Sequence, residues 1–199
     1  MNPALNALSF LIGSIFSFYA MIVAIRFLMQ AFRVDYYNPL AQFVVKMTDP
    51  PLRPMRRLIP GWGGFDVAAL ILCLLVIFLK LLAFKLLSLD YVPAAGDQFR
   101  VALLGVPHMV ILALLDLLNL FFNILIFSIV IMALMSWIIQ DPGHPMYAML
   151  TRLTAPILTP VRRYVPPIGG LDLSALVAIL ALVTLKLLVM GTLVSVFFG

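Results

Sequence analysis

The chain repeats itself. Residues 38–85 align without a gap on residues 144–191, at a constant offset of 106, and 18 of those 48 positions are identical. The identities cluster. One copy reads T-D-P-P-L-R-P-M-R-R-L-I-P-G-W-G-G-F-D from Thr48 to Asp66, and the other reads T-A-P-I-L-T-P-V-R-R-Y-V-P-P-I-G-G-L-D from Thr154 to Asp172. Each then enters a long apolar run that carries K-L-L. The unit is therefore a helix, a basic Pro-rich connector and a second helix, used twice.

What surrounds these helices follows from composition. Hydrophobic residues make up 64% of the 199 and charged residues 11%, with a mean hydropathy of +1.16. A soluble domain carries about 25% charged residues. Such a chain cannot cover a water-facing surface, so lipid is the expected solvent for most of it. Net charge is +5, concentrated in the two connectors. That distribution points to a membrane surface rather than to direct nucleic-acid binding. The single cysteine, Cys73, lies in an apolar run and reads as a small hydrophobe. The amino-terminal apolar run has no basic region before it and is too long for a cleaved leader, so it reads as a retained helix.

A helix needs about 20 apolar residues to span the hydrocarbon core. Four segments qualify: Leu5–Phe32, Val67–Leu89, Leu117–Ile139 with Val101–Leu115 as a lead-in, and Leu173–Phe197. The expected fold class is all-α and polytopic, with four transmembrane helices as two parallel hairpin repeats. The expected division is residues 1–92, a linker and lead-in at 93–116, and residues 117–199. An even number of spans per copy gives both copies one orientation. Arg33, Lys46, Arg53, Arg56 and Arg57 lie in the first connector, and Arg152, Arg162 and Arg163 in the second. Arg100 and Lys85 lie on the other side, balanced by Asp90 and Asp97. The positive-inside bias then places both connectors in the cytoplasm of a bacterial inner membrane, with both termini outside.

Each connector opens with an amphipathic pattern. Leu40, Phe43, Val44 and Met47 recur at i, i+3, i+4 and i+7, as do Met146, Met149, Leu150 and Leu153. Asn38 suits a cap, and Pro39 and Pro145 suit a first turn. Pro50 and Pro156 are expected to end these short helices, leaving an irregular strap. The stripe either lies in the bilayer interface or packs on the protein's own spans.

Few residues carry chemistry. Asp66 and Asp172 follow Gly-Gly before an apolar run, which reads as helix capping, or else as an ion site at the mouth of the bundle. Arg56, Arg57, Arg162 and Arg163 read as topology determinants in contact with anionic headgroups, or as docking points for a partner. Lys80 and Lys186 are equivalent positions, each about 21 Å along its helix from the capping Asp. Asp116, Asn119 and Asn123 share one helix face at i, i+3 and i+7. Together they form an intramembrane polar seam, read as snorkelling lysines and interhelical hydrogen bonds, or as a path for a small ion. Arg26 can snorkel or pair with Asp66. His108 and His144 are isolated, so no metal site is expected. No nucleotide, nucleophile or metalloprotease motif is present, so no cofactor and no enzymatic activity are expected.

These residues carry a resemblance. T-x-P-x-L-x-P-x-R-R-x-x-P followed by G-G-x-D, twice, with Ser136–Trp137 closing the third span, resembles the YggT (YlmG) family of small integral membrane proteins. The resemblance covers nearly the whole chain. The first copy departs from it with Gln30–Ala31 in place of S-W, and with Ala68 where the second has Ser174. What it implies is a duplicated helical hairpin, with links to osmotic stress, to cell division or nucleoid organisation, and in plastids to cytochrome assembly. It brings no catalytic residue. The expected function is a scaffold or assembly factor whose connectors contact anionic lipid headgroups or a membrane-protein partner. The alternative is a small-ion transporter, which with four spans would work as a homo-oligomer.

Overall fold

A computed structural model describes residues 3–59, 61, 63–89, 91–138, 144–165 and 173–198. Helix α1 (Pro3–Ala31) leads into α2 (Pro39–Leu58) and α3 (Val67–Leu86). A small hairpin of β1 (Val92–Ala94) and β2 (Asp97–Phe99) and a 3₁₀ turn (Val101–Leu103) follow. Then come α4 (Val106–Ile138), α5 (Pro145–Tyr164) and α6 (Leu173–Phe198). Four of these helices, α1, α3, α4 and α6, are long and apolar enough to cross a membrane. The fold is the all-α arrangement of two hairpin repeats that the sequence implies.

Packing follows chain order. The α1 helix packs on α3, α3 on α4, and α4 on α6, so α3 and α4 form the middle of the bundle. The larger core joins the first repeat to the hairpin through residues such as Met29, Leu81, Phe84 and Met109. A smaller core joins α4, α5 and α6 through Ile129, Met132, Leu158 and Ala178. The outer faces stay apolar: Phe10 is 76% exposed, Leu187 67% and Val196 74%. Large side chains exposed on that scale suit a helix solvated by lipid. The third span is one unbroken helix, so Val106–Leu115 continues directly into the stretch beyond residue 116.

The connectors depart from expectation. Neither Pro50 nor Pro156 ends its helix: α2 runs through Pro50, Pro51 and Pro54, and α5 through Pro156 and Pro160. Each proline removes a ladder donor. Pro50, Pro54, Pro156 and Pro160 lie on exposed positions, where the freed carbonyls can still be solvated. The opposite face is locked into the bundle, with Ala41 and Leu52 fully buried in α2, and Leu153 and Leu158 nearly so in α5. Tertiary burial holds the helices straight past residues that would break them alone.

Both helices start with a side-chain cap. Asn38 accepts from the Leu40 N–H at 2.9 Å. His144 Nδ1 accepts from the Met146 N–H at 3.3 Å. The Asn38 amide also donates to the Pro145 carbonyl, so the two connectors meet at their amino ends on one side of the bundle. Asn38→Ala removes both contacts. It should cost ~1 kcal/mol from the cap alone, seen as a lower midpoint of thermal unfolding in detergent; Asn38→Ser should recover most of it.

The hairpin closes the other end. Val92 pairs with Phe99, Pro93 with Gln98 and Ala94 with Asp97. Ala95 (φ 54°) and Gly96 (φ 92°) make a two-residue turn with both dihedrals positive, the geometry that matches the twist of the flanking strands. Val92, Ala94 and Ala95 are buried.

Candidate functional site

Two polar clusters are built into the bundle. One lies beneath the hairpin. Lys80, on α3, is 3% exposed, and Asp116, on α4, is 9% exposed. Their side chains meet at 2.7 Å between Nζ and Oδ2. The hairpin completes the pair from its backbone: Pro93 offers its carbonyl to Lys80 Nζ at 3.3 Å, and the Ala95 N–H donates to Asp116 Oδ1 at 2.9 Å. Lys80 therefore does not reach water by snorkelling. It is neutralised in place, which makes a buried ammonium tolerable in an apolar setting.

The equivalent lysine is handled differently. Lys186, on α6, donates to Asn123 Oδ1 at 2.6 Å. Among the described residues no carboxylate lies within ion-pair distance of it. Asp116 and Asn123 are seven residues apart on α4, about two turns. The residues expected to form one seam meet in two separate pairs, Lys80 with Asp116 and Lys186 with Asn123. Asn119 sits between them under the turn, 3.6 Å from where a Cβ on Gly96 would fall. Its Oδ1 is buried without a hydrogen-bond partner.

The second cluster lies at the connector end of the first repeat. Asp66 caps α3 by accepting from the Ala69 N–H at 3.1 Å, and it also binds Arg56. That hydrogen bond to Asp66 raises the Arg56 pKa above its ordinary value, against the opposing effect of partial burial. Arg56 is therefore engaged inside the protein, with Asp49 a further 3.9 Å contact. Arg26, deep in α1, pairs with Asp49 at 3.4 Å rather than with Asp66, and its guanidinium lies over the Tyr36 ring at 5.8 Å. Arg53 reaches the same carboxylate from α2. Arg57, Arg162 and Arg163 are exposed. Asp172, Asp90 and the Gly169–Gly170 pair lie outside the described residues.

Sequence reasoning missed the roles of Asp49, of the hairpin backbone and of the His144 cap. Only the turn left a trace, as the A-G step between V-P-A and D-Q-F. The geometry defines a class: a polytopic α-helical protein of two like hairpins, with polar pairs buried at both ends of the first. The sequence model of the CCB3/YggT family matches residues 5–87 and again residues 111–193. The chain belongs to that family. It is similar to an uncharacterized protein, PA0392, of Pseudomonas aeruginosa, with 34% identity over 96% of this chain and 91% of that one. It is also similar to an uncharacterized protein in the proC 3' region of Vibrio alginolyticus (35%, covering 89% and 90%) and to the uncharacterized protein YggT of Escherichia coli K12 (33%, covering 92% and 89%). No solved structure matches the chain.

Proposed function

We propose that the protein is a non-enzymatic scaffold of the bacterial inner membrane, whose connectors, on the cytoplasmic side, contact anionic headgroups and through them organise a membrane-protein partner. One observation carries this reading: α2 has two apolar stripes. Ala41, Val44, Thr48 and Leu52 are buried against the spans. Leu40, Phe43 and Met47 remain 38%, 55% and 43% exposed beside them. Lys46, Arg53 and Arg57 follow around the helix and are exposed as well. An apolar stripe edged by cations is what a helix at a bilayer interface presents, acyl chains below and phosphates alongside. The α5 helix presents less of this, since Leu153, the counterpart of Met47, is 2% exposed.

A photo-crosslinker at Phe43 should give adducts with anionic phospholipid and with a reproducible protein neighbour. Three cations near an anionic surface contribute ~1 kcal/mol each. Replacing Lys46, Arg53 and Arg57 with Gln should therefore remove most lipid adducts while leaving the bundle folded. A crosslinking pattern unchanged by the triple substitution would refute the headgroup contact.

A second reading, transport of a small ion by an oligomer of this chain, is favoured by the cavity that Lys80, Asp116, Asn119 and Asn123 line together. Flux into proteoliposomes, compared between the parent and Asp116→Asn, tests it; equal background leak in both ends it.

A further inference from the structure

Two cavities lie side by side at the hairpin end. A groove of about 570 Å³ runs between α1, α3 and the hairpin, with Ser9, Ser14 and Ser17 in its wall. A smaller cavity of about 200 Å³ lies against Lys80, Asp116, Asn119 and Asn123. Ser17 and Pro93 line both. Toward the connectors Val23, Met29 and Leu72 are buried, together with Arg26 and Asp66 of the other cluster. The inner cavity therefore lies on the hairpin side of the bundle, with the ion pair in its wall. At roughly 30 Å³ per water, the inner cavity holds several waters or a partly hydrated ion.

The lining chemistry is that of oxygens around one positive charge. Lys80 Nζ is held by Asp116 Oδ2 and the Pro93 carbonyl. Asn119 Oδ1, on a residue 8% exposed, is buried with no hydrogen-bond partner. Carbonyl and carboxylate oxygens of this kind replace the hydration shell of a small monovalent cation. One carboxylate balances one such charge. Lys186, behind Asn123, adds a like charge that opposes a divalent ion.

We propose that Asp116, the Pro93 carbonyl and Asn119 form a monovalent-cation site, and that the Lys80 ammonium is the built-in cation that competes for it. The site holds one positive charge at a time, so an entering ion displaces the ammonium head from Asp116. The proposal rests on the small-ion reading above and is independent of the headgroup contacts of α2.

Competition makes a directional prediction that a purely structural ion pair does not. The full chain in detergent is unfolded by heat in choline chloride and in equimolar lithium, sodium, potassium or rubidium chloride. Lys80→Met strips Asp116 of its internal partner. It should be the least stable protein in choline and be stabilised selectively by one alkali ion, with an apparent affinity tighter than the parent's by about tenfold or more. Asp116→Asn should show no ion-specific shift. Asn119→Asp keeps Lys80, adds a carboxylate and should also bind more tightly, which covers the case in which Lys80→Met fails to fold. Equal stability of Lys80→Met and Asn119→Asp in all salts overturns the proposal. So does rescue of Lys80→Met by acidification alone, which marks a proton on Asp116 instead. Ion-specific stabilisation without ion flux in proteoliposomes would retain the site and remove the transport reading.

Discussion

Asp116→Ala should destabilise the protein by about 3–5 kcal/mol, because it leaves the Lys80 ammonium buried without its counter-charge. The loss has two parts. One is the charge itself, on a residue 3% exposed. The other is the Ala95 N–H, which donates to Asp116 Oδ1 and is stranded when that oxygen goes. Asp116→Asn keeps an acceptor for the amide and should lose less. Removing both charges, as Lys80→Met with Asp116→Leu, should recover the charge part of the loss, since an apolar pair of similar volume replaces a pair that had to be desolvated, while the Ala95 N–H stays without its acceptor. Lys186→Met should be close to neutral by comparison: its partner is a neutral amide and the lysine is only partly buried. Thermal unfolding of the four variants in one detergent gives the comparison directly. If Asp116→Ala and the double variant are equally unstable, the loss lies in the pair's contacts with the hairpin backbone rather than in an unpaired charge.

That hairpin shows where sequence reasoning stops. Its strands are three residues long, and V-P-A and D-Q-F lack the alternation that marks a strand. Locally it has its turn and the Arg100 Nε–Tyr91 hydroxyl hydrogen bond at its base, and a lone two-stranded hairpin is marginal. It forms because Lys80 and Asp116, separated by 36 residues, supply a donor and an acceptor to its backbone. The connector prolines fail for the opposite reason. Locally they break helices, and they are overridden because Leu52 and Leu158 on the inner face are buried. Long, strong periodicity made the four apolar runs and the repeat readable, and local capping chemistry made Asn38 and Asp66 readable at the starts of α2 and α3. The polar seam was readable as a helix face. Its pairing was not, because two equivalent lysines, at one register in the repeat, find acceptors about two turns apart on α4.

The repeat also contains its own control for the connector cluster. At an offset of 106, Arg26 corresponds to Met132, Asp49 to Ala155 and Arg53 to Thr159. Where the first copy buries an ion pair, the second packs apolar atoms, and the Thr154 hydroxyl approaches Met132 Sδ at 3.2 Å. Both copies keep a buried threonine there, Thr48 and Thr154, each bonded to the carbonyl four residues back. The same backbone therefore accommodates both solutions. Asp49→Ala alone should cost about 3 kcal/mol, because it leaves Arg26 buried with Nε and Nη1 already lacking partners. Arg26→Met alone should cost little, since Asp49 keeps Arg53 and Arg56. Arg26→Met with Asp49→Ala imports the second copy's solution and should match or exceed the parent in unfolding midpoint. A double variant as unstable as Asp49→Ala would mean that the charges specify how α2 docks on α1, rather than merely tolerating one another there.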